Sequence, residues 1–300
     1  MGPVSTPDLA VAVAEAGGVG TIACMGMSAA QLDAVVTAMA ARTDGALAAN
    51  FLTDAVDRDA VEVAAYRLAL VDFFWADPDP GLVQLVHDAG SLVSWQVGSV
   101  DETRAAEDAG CDVVVAQGVE AGGHVRGHTP LLALLAGVLD AVDVPVLGAG
   151  GIGHPRALAA VLAAGAAGAR VGTVFVATVE SGAHPLYKQA VVDAPLGATS
   201  ITDAFAVCPL CATSPRARIL NTCIEAVRAL TADEAGEMVL RGNTVIIPKG
   251  SGIPPGESAT GHVGAMPMYA SEVAGAVDAV EPAADVLGRL CEGAERLLAR

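Results

Sequence analysis

The run Ala116-Gln117-Gly118-Val119-Glu120-Ala121-Gly122-Gly123-His124 gathers an amide, a carboxylate, paired glycines and an imidazole in one short stretch. It follows the apolar segment 111–115, which has the character of a buried parallel strand. In α/β proteins the carboxyl end of a strand is where ligands bind. Glycines at 122 and 123 let backbone N–H groups approach such a ligand closely. His124 is the side chain there that exchanges a proton near neutrality. It is a candidate general base, a candidate donor to a bound anion, or an ordinary loop histidine. Gln117, the first polar residue after the apolar run, is a candidate ligand contact. Glu120 is expected to pair with Arg126 or cap a turn rather than to do chemistry. His128 lies four residues on but across a glycine, which argues against a helical two-histidine metal pair.

A second glycine cluster, Gly148-Ala149-Gly150-Gly151-Ile152-Gly153, matches G-x-G-x-x-G between a strand and a helix. A dinucleotide-binding reading needs an acidic residue at the end of the next strand. Val171-Gly172-Thr173 stands there instead. Barrel geometry gives the better reading: the loops after the last two strands commonly form a phosphate site from backbone amides. Gly150, Gly151, Gly172 and Thr173 are its candidates, helped by a helix starting near Pro155. Asn50 and Gln96 each interrupt an apolar strand and are further candidates for a polar ligand edge. Cys208 and Cys211 form a C-x-x-C without the second pair that a zinc site usually needs, so no metal is expected.

Elements that could position these groups alternate along the chain. Strands are expected at 19–23, 46–52, 71–74, 92–97, 113–117, 144–149 and 169–172. Helices are expected at 7–16, 29–41, 59–68, 81–89, 100–109, 131–142 and 155–164. Thr6, Ser28 and Ser99 are candidate N-caps, and glycines 17, 90, 110 and 165 suit helix C-termini. Strands apolar without alternation are buried on both faces and hence parallel. The pattern predicts an α/β fold, a (β/α)8 TIM barrel lacking one strand. The first strand is missing or a stub, with the true start expected upstream of Met1. Residues 1–190 are expected to form the barrel, 191–260 a small, mostly helical cap with helices at 217–229 and 232–240, and 261–300 helices returning to the barrel.

The chain has 300 residues, 53% of them hydrophobic, with a net charge of −18. Such acidity disfavours nucleic acid and anionic lipid as partners. No apolar run is long enough to span a bilayer, and the N-terminus has no signal-peptide pattern. Six scattered cysteines suit reduced thiols in the cytoplasm.

The segments AQGVEAGGHVRGH, GAGGIGHPRALAAVLAAGAAGARVGTVFVATVES and GAMPMYASEVAGAV resemble the nitronate monooxygenase family, formerly called 2-nitropropane dioxygenases. The opening GPVSTPDLAVAVAEAGGVGTI is similar to that family's first helix and second strand. The first two motifs are shared with FMN-dependent enoyl-acyl-carrier-protein reductases. The resemblance implies an FMN-bearing TIM barrel with a cap. Asn50, Gln117, Gly122, Gly150, Gly151, Gly172 and Thr173 would contact FMN, with Gln96 as a weaker candidate. Met1 and Gly2 match the end of the flavin-facing first-strand motif. His124 matches the family's proposed catalytic histidine, and Tyr269 falls in a tail segment that approaches the active site. The implied reaction is oxidation of an alkyl nitronate by O2 to a carbonyl compound and nitrite. Its rivals are an NAD(P)H-dependent enoyl or quinone reductase on the same scaffold, and a barrel that binds a phosphorylated ligand without catalysis.

Overall fold

The protein is described by a computed structural model covering residues 2–207 and 215–300, with Ala55 placed by its backbone alone. Met1, Cys208 and Cys211 lie outside the described residues.

Helix α1 (Pro7–Glu15) opens on Thr6, whose hydroxyl accepts from the Leu9 amide. The chain then alternates as β1 (Gly20–Ala23), α2 (Ala29–Ala40), β2 (Leu47–Leu52), α3 (Arg58–Arg67), β3 (Leu70–Phe74) and α4 (Pro80–Asp88). It continues through β4 (Leu92–Val97), α5 (Val100–Asp108), β5 (Val113–Gln117), the two-residue β6 (Gly123–His124) and α6 (Leu131–Leu139). The last βα units are β7 (Val146–Ala149), α7 (Pro155–Ala163), β8 (Gly168–Arg170) and α8 (Thr173–Val176). Ser28 completes a capping box with Gln31, and the Ser99 hydroxyl accepts from the Glu102 amide. These caps satisfy helix-end amides that would otherwise lack partners.

Seven parallel strands form one sheet in the order β1-β2-β3-β4-β5-β7-β8. The expected strand and helix positions through residue 170 are borne out to within a few residues. The N-terminal stub is not a strand: Gly2–Val4 forms a short 3-10 turn. Among the described residues β1 and β8 therefore remain sheet edges.

Register explains the two faces. Asn50, Asp72 and Ser94 are neighbours across β2, β3 and β4, and Phe51, Phe73 and Trp95 are the next row. Successive strand residues point to opposite faces. The aromatic row stacks with centroid distances of 6.1 and 4.9 Å, under helices that bury Leu32, Val36, Val61 and Val86. The polar row occupies the concave face. The strands are thus not uniformly apolar, as their composition suggested.

After α9 (Pro185–Val192) come β9 (Thr199–Thr202), β10 (Ala217–Leu220), α10 (Asn221–Ala229), β11 (Glu234–Leu240), β12 (Asn243–Pro248) and β13 (Thr260–Gly261). This corrects the expectation of a mostly helical cap. Residues 217–220 are strand, with helix only from 221, and the expected helix at 232–240 is β11. The cause is the two-residue turn Arg241-Gly242, with φ of +52° and +79°. That is the left-handed pair a tight hairpin requires, and it folds the Val- and Ile-bearing β12 onto β11 in register Leu240↔Asn243. Strand pairing overrides the helix propensity of Ala, Glu and Met there. β9 and β10 form a separate sheet in which β10 also pairs with β6. Finally α11 (Ala283–Leu298), opening at Pro282, packs against α7 and α1. Among the described residues no helix is long and apolar enough to cross a membrane.

Candidate active site

The concave polar row converges on Asp72, which is only 2% exposed. Its Oδ2 accepts from Asn50 Nδ2 and from Arg170 Nη1, each at 2.5 Å, and its Oδ1 accepts from the Ser94 hydroxyl at 2.6 Å. Arg170 comes from β8, four places along the sheet from β3, so it reaches Asp72 across the concave side. Asn50, predicted to meet a ligand, is part of this network; its Nδ2 is engaged and its Oδ1 is the polar atom it offers. Gln96 lies two residues beyond Ser94 on the same face and is 8% exposed. Among the described residues its amide makes no hydrogen bond, so it is available to a ligand. Asp72, Ser94 and Arg170 were not singled out from the sequence.

Gln117, the expected ligand contact, also bonds within the chain. Its Nε2 donates to the His124 carbonyl at 2.8 Å, and its Oε1 accepts from the Arg126 amide at 3.0 Å. The amide thereby ties the 124–126 segment to the end of β5. From the other side β6 pairs antiparallel with β10, with His124 opposite Ala217, and the Val125 amide donates to the Arg216 carbonyl. His124 therefore sits on a strand held between barrel and cap, not on a free loop. Its ring lies 4.3 Å from that of Trp75 and 5.7 Å from that of Tyr269, centroid to centroid. The Tyr269 hydroxyl donates to the Gly252 carbonyl at 2.7 Å, and its carbonyl accepts from the Tyr187 hydroxyl. Gly2 packs beside Pro254 in the same 252–254 segment.

Trp75, the first residue beyond β3, has φ of +107°. For a bulky side chain this is an outlier that costs roughly 1–3 kcal/mol. The Arg126 guanidinium donates to the Trp75 carbonyl and pairs with Asp77 and Glu102.

The glycine loops meet as a cradle. A Cβ on Gly150 would stand 2.9 Å from the Ala121 amide nitrogen, and one on Gly122 would stand 2.6 Å from the Ala270 carbonyl carbon. Only glycines let the loops after β5 and β7 and the tail at 270–272 approach this closely. Gly150 and Gly151 take φ of +106° and +67°. Gly172 precedes the first turn of α8, and the Thr173 hydroxyl oxygen accepts from the Ser271 amide. Helix N-termini present amides without intrahelical partners; α8 begins here, whereas in α7 Pro155 has no N–H and the Arg156 and Ala157 amides donate to His154. Glu120 accepts from the Leu131 amide and so caps α6. His128 lies 3.1 Å from Arg216 Nη1. Arg218 donates to the Val119 carbonyl and the Glu272 carboxylate, tying the tail to the β5 loop. Among the described residues no group of His, Cys, Asp and Glu could hold a metal ion.

Burial pushes the His124 imidazole down from 6.5 to about 4. The ring is therefore neutral at neutral pH, which favours proton acceptance over anion binding as imidazolium. Between about pH 6.5 and pH 4 the unfolded chain takes up a proton that the folded chain refuses, so stability falls as pH drops through that window. Wild type is expected to lose about 2 kcal/mol more than His124→Gln between pH 7 and pH 4.5 from this group. Urea midpoints of the two proteins at both pH values check it; parallel losses would refute it.

The nitronate monooxygenase family profile matches residues 1–293. The chain belongs to the nitronate monooxygenase family. Among solved structures, it is similar to FabK from Thermotoga maritima, with TM-score 0.78, 26% identity and coverage of 100% of this chain and 92% of that one. It also resembles the nitroalkane oxidase of Streptomyces ansochromogenes, with TM-score 0.75, 28% identity and 99% and 95% coverage. Among curated relatives, (3aS,4S,5R,7aS)-5-hydroxy-7a-methyl-1-oxo-octahydro-1H-indene-4-carboxyl-CoA dehydrogenase of Rhodococcus jostii is 37% identical over 190 residues, 60% of this chain and 51% of that protein. The chain spans about half the length of the curated relatives it matches. Membership of the nitronate monooxygenase family agrees with the barrel-type α/β fold.

Proposed function

We propose that this chain is an FMN-dependent cytoplasmic enzyme that oxidises alkyl nitronates, and nitroalkanes after deprotonation, using O2 and yielding a carbonyl compound and nitrite. The observation that carries this reading is the half-buried, neutral His124 held beside a glycine cradle at the barrel rim. Residues 1–190 serve as barrel, 191–260 as cap and 261–300 as the returning tail.

The cradle fits a phosphorylated planar cofactor. Gly150, Gly151, Gly172 and Thr173 would hold the phosphate, where backbone amides of the glycine loops favour an anion. Gly122 keeps the wall beside it thin. Asn50 and Gln96 would offer polar atoms to the ring edge from the concave face. Bound FMN supplies the electron chemistry, and the protein's part is binding, orientation and proton handling.

His124 accepts the proton from the carbon beside a nitro group. A neutral imidazole is the form that can do this, and the developing anion next to it favours the imidazolium that results. A preformed nitronate needs no such step. Trp75 and Tyr269 flank the imidazole and keep water from it. Gln117 holds the His124 carbonyl and so fixes the strand carrying the base.

The reading is tested on purified protein supplied with FMN. Retained flavin absorbance after removal of free FMN, with oxygen uptake on adding a nitronate and no NADH, is the expected result. A colourless protein would end it. A second reading is favoured by the likeness to FabK and to the CoA-linked dehydrogenase: reduction or oxidation of a thioester-borne substrate with a nicotinamide. Bleaching of the flavin by NAD(P)H without air, with no oxygen uptake on nitronate, would select it.

A further inference from the structure

Trp75 occupies a costly position. Its φ of +107° suits glycine, not an indole-bearing residue. The outlier is locked from outside, because Arg126 holds the Trp75 carbonyl while Asp77 and Glu102 hold Arg126. Glu102 is itself fixed by the Gly98 amide at 2.7 Å. The lock aims the indole, 5% exposed, at His124: the two rings meet at 61° with centroids 4.3 Å apart. On a second side stands the Tyr269 ring, at 48°, its hydroxyl anchored on Gly252. Strained backbone that the surroundings over-determine is concentrated where geometry serves function.

We infer that Trp75 is a positioning residue for His124: its indole fixes the plane of the imidazole and walls it from solvent, and Arg126 holds the backbone that aims it. The role of His124 as base rests on the function proposed above; the ring contact does not.

Charge does not explain the environment of His124. Arg126, two residues on, is balanced by Asp77 and Glu102. Arg218 pairs with Glu272, and Arg216 meets His128. The Tyr269 hydroxyl is engaged with Gly252. Removing the indole therefore changes hydration rather than charge.

The experiment is a proton NMR titration of His124, identified by the ring resonance lost in His124→Gln, in wild type, Trp75→Phe and Trp75→Gly. Glycine adopts φ of +107° without strain, so its variant removes the ring while relaxing the backbone; phenylalanine keeps an aromatic face. In wild type the His124 resonance is expected to show a ring-current displacement and to titrate well below pH 6.5. Trp75→Phe retains both features. Trp75→Gly loses the displacement and titrates higher by about one pH unit or more. With flavin and nitroalkane, kcat of Trp75→Gly falls about tenfold with KM little changed. An unchanged titration in Trp75→Gly, or a wild-type resonance without displacement, overturns the inference. A moved titration in an enzyme inactive on every nitro substrate leaves the positioning role standing and overturns the function instead.

Discussion

His124→Ala is expected to lose about 10²–10⁴-fold in kcat/KM on a nitroalkane and much less on the corresponding preformed nitronate. That range is what a positioned general base contributes. The difference between substrates follows from where the proton is. A nitroalkane must surrender one from carbon, and His124 is the neutral imidazole at the rim, held near pKa 4 by burial. A nitronate has already lost that proton, so it needs only the walls and the cofactor. Parallel oxygen-uptake assays on the two forms of one substrate, each started before they interconvert, give the ratio directly. Equal losses would remove the base from the mechanism and leave His124 as a wall of the pocket.

The second large effect concerns stability. Asp72→Ala is expected to destabilise the protein by about 3 kcal/mol, because it strands a cation and an amide on the concave face. Removing one partner of a buried pair costs more than the pair itself contributes. Arg170 is partly exposed, which holds the expectation to the lower end of that range. Adding Arg170→Met to Asp72→Ala should restore part of the loss, since it removes the abandoned charge. Urea denaturation of the two variants measures this. A loss under about 1 kcal/mol for Asp72→Ala, or no recovery in the double variant, would show that the network contributes little.

Much of the barrel was legible because its signals are local. Thr6, Ser28 and Ser99 announced helix starts, and the βα alternation gave the strands from Gly20 to Arg170 nearly to their ends. The glycines at 122, 150 and 151 marked loops that must approach other backbone, and the structure brings those loops together. Tyr269, assigned only from resemblance, does stand against His124. What escaped depends on contacts distant in sequence. Asp72 carried the same signal as Asn50, a polar residue in an apolar strand, but its partner Arg170 lies 98 residues away. Trp75 looked like one more apolar residue after a strand, since backbone dihedrals leave no trace in composition. The helix expected at 232–240 failed because a two-residue turn at 241–242 recruited the following strand, a cue that helix-forming residues concealed. Gln117 was recognised as special, yet its amide serves the chain as well as any ligand.

The pairing of β6 with β10 sets a rule for how this site can change. A shift of a single residue within Ala217–Leu220 would put Arg218 where Ala217 now faces His124 and turn every β10 side chain over. Arg218 would then leave Val119 and Glu272, unfastening the tail. Variation around the imidazole must therefore come by exchanging side chains, because lengthening or shortening the strand that carries its neighbour would dismantle the surroundings of His124.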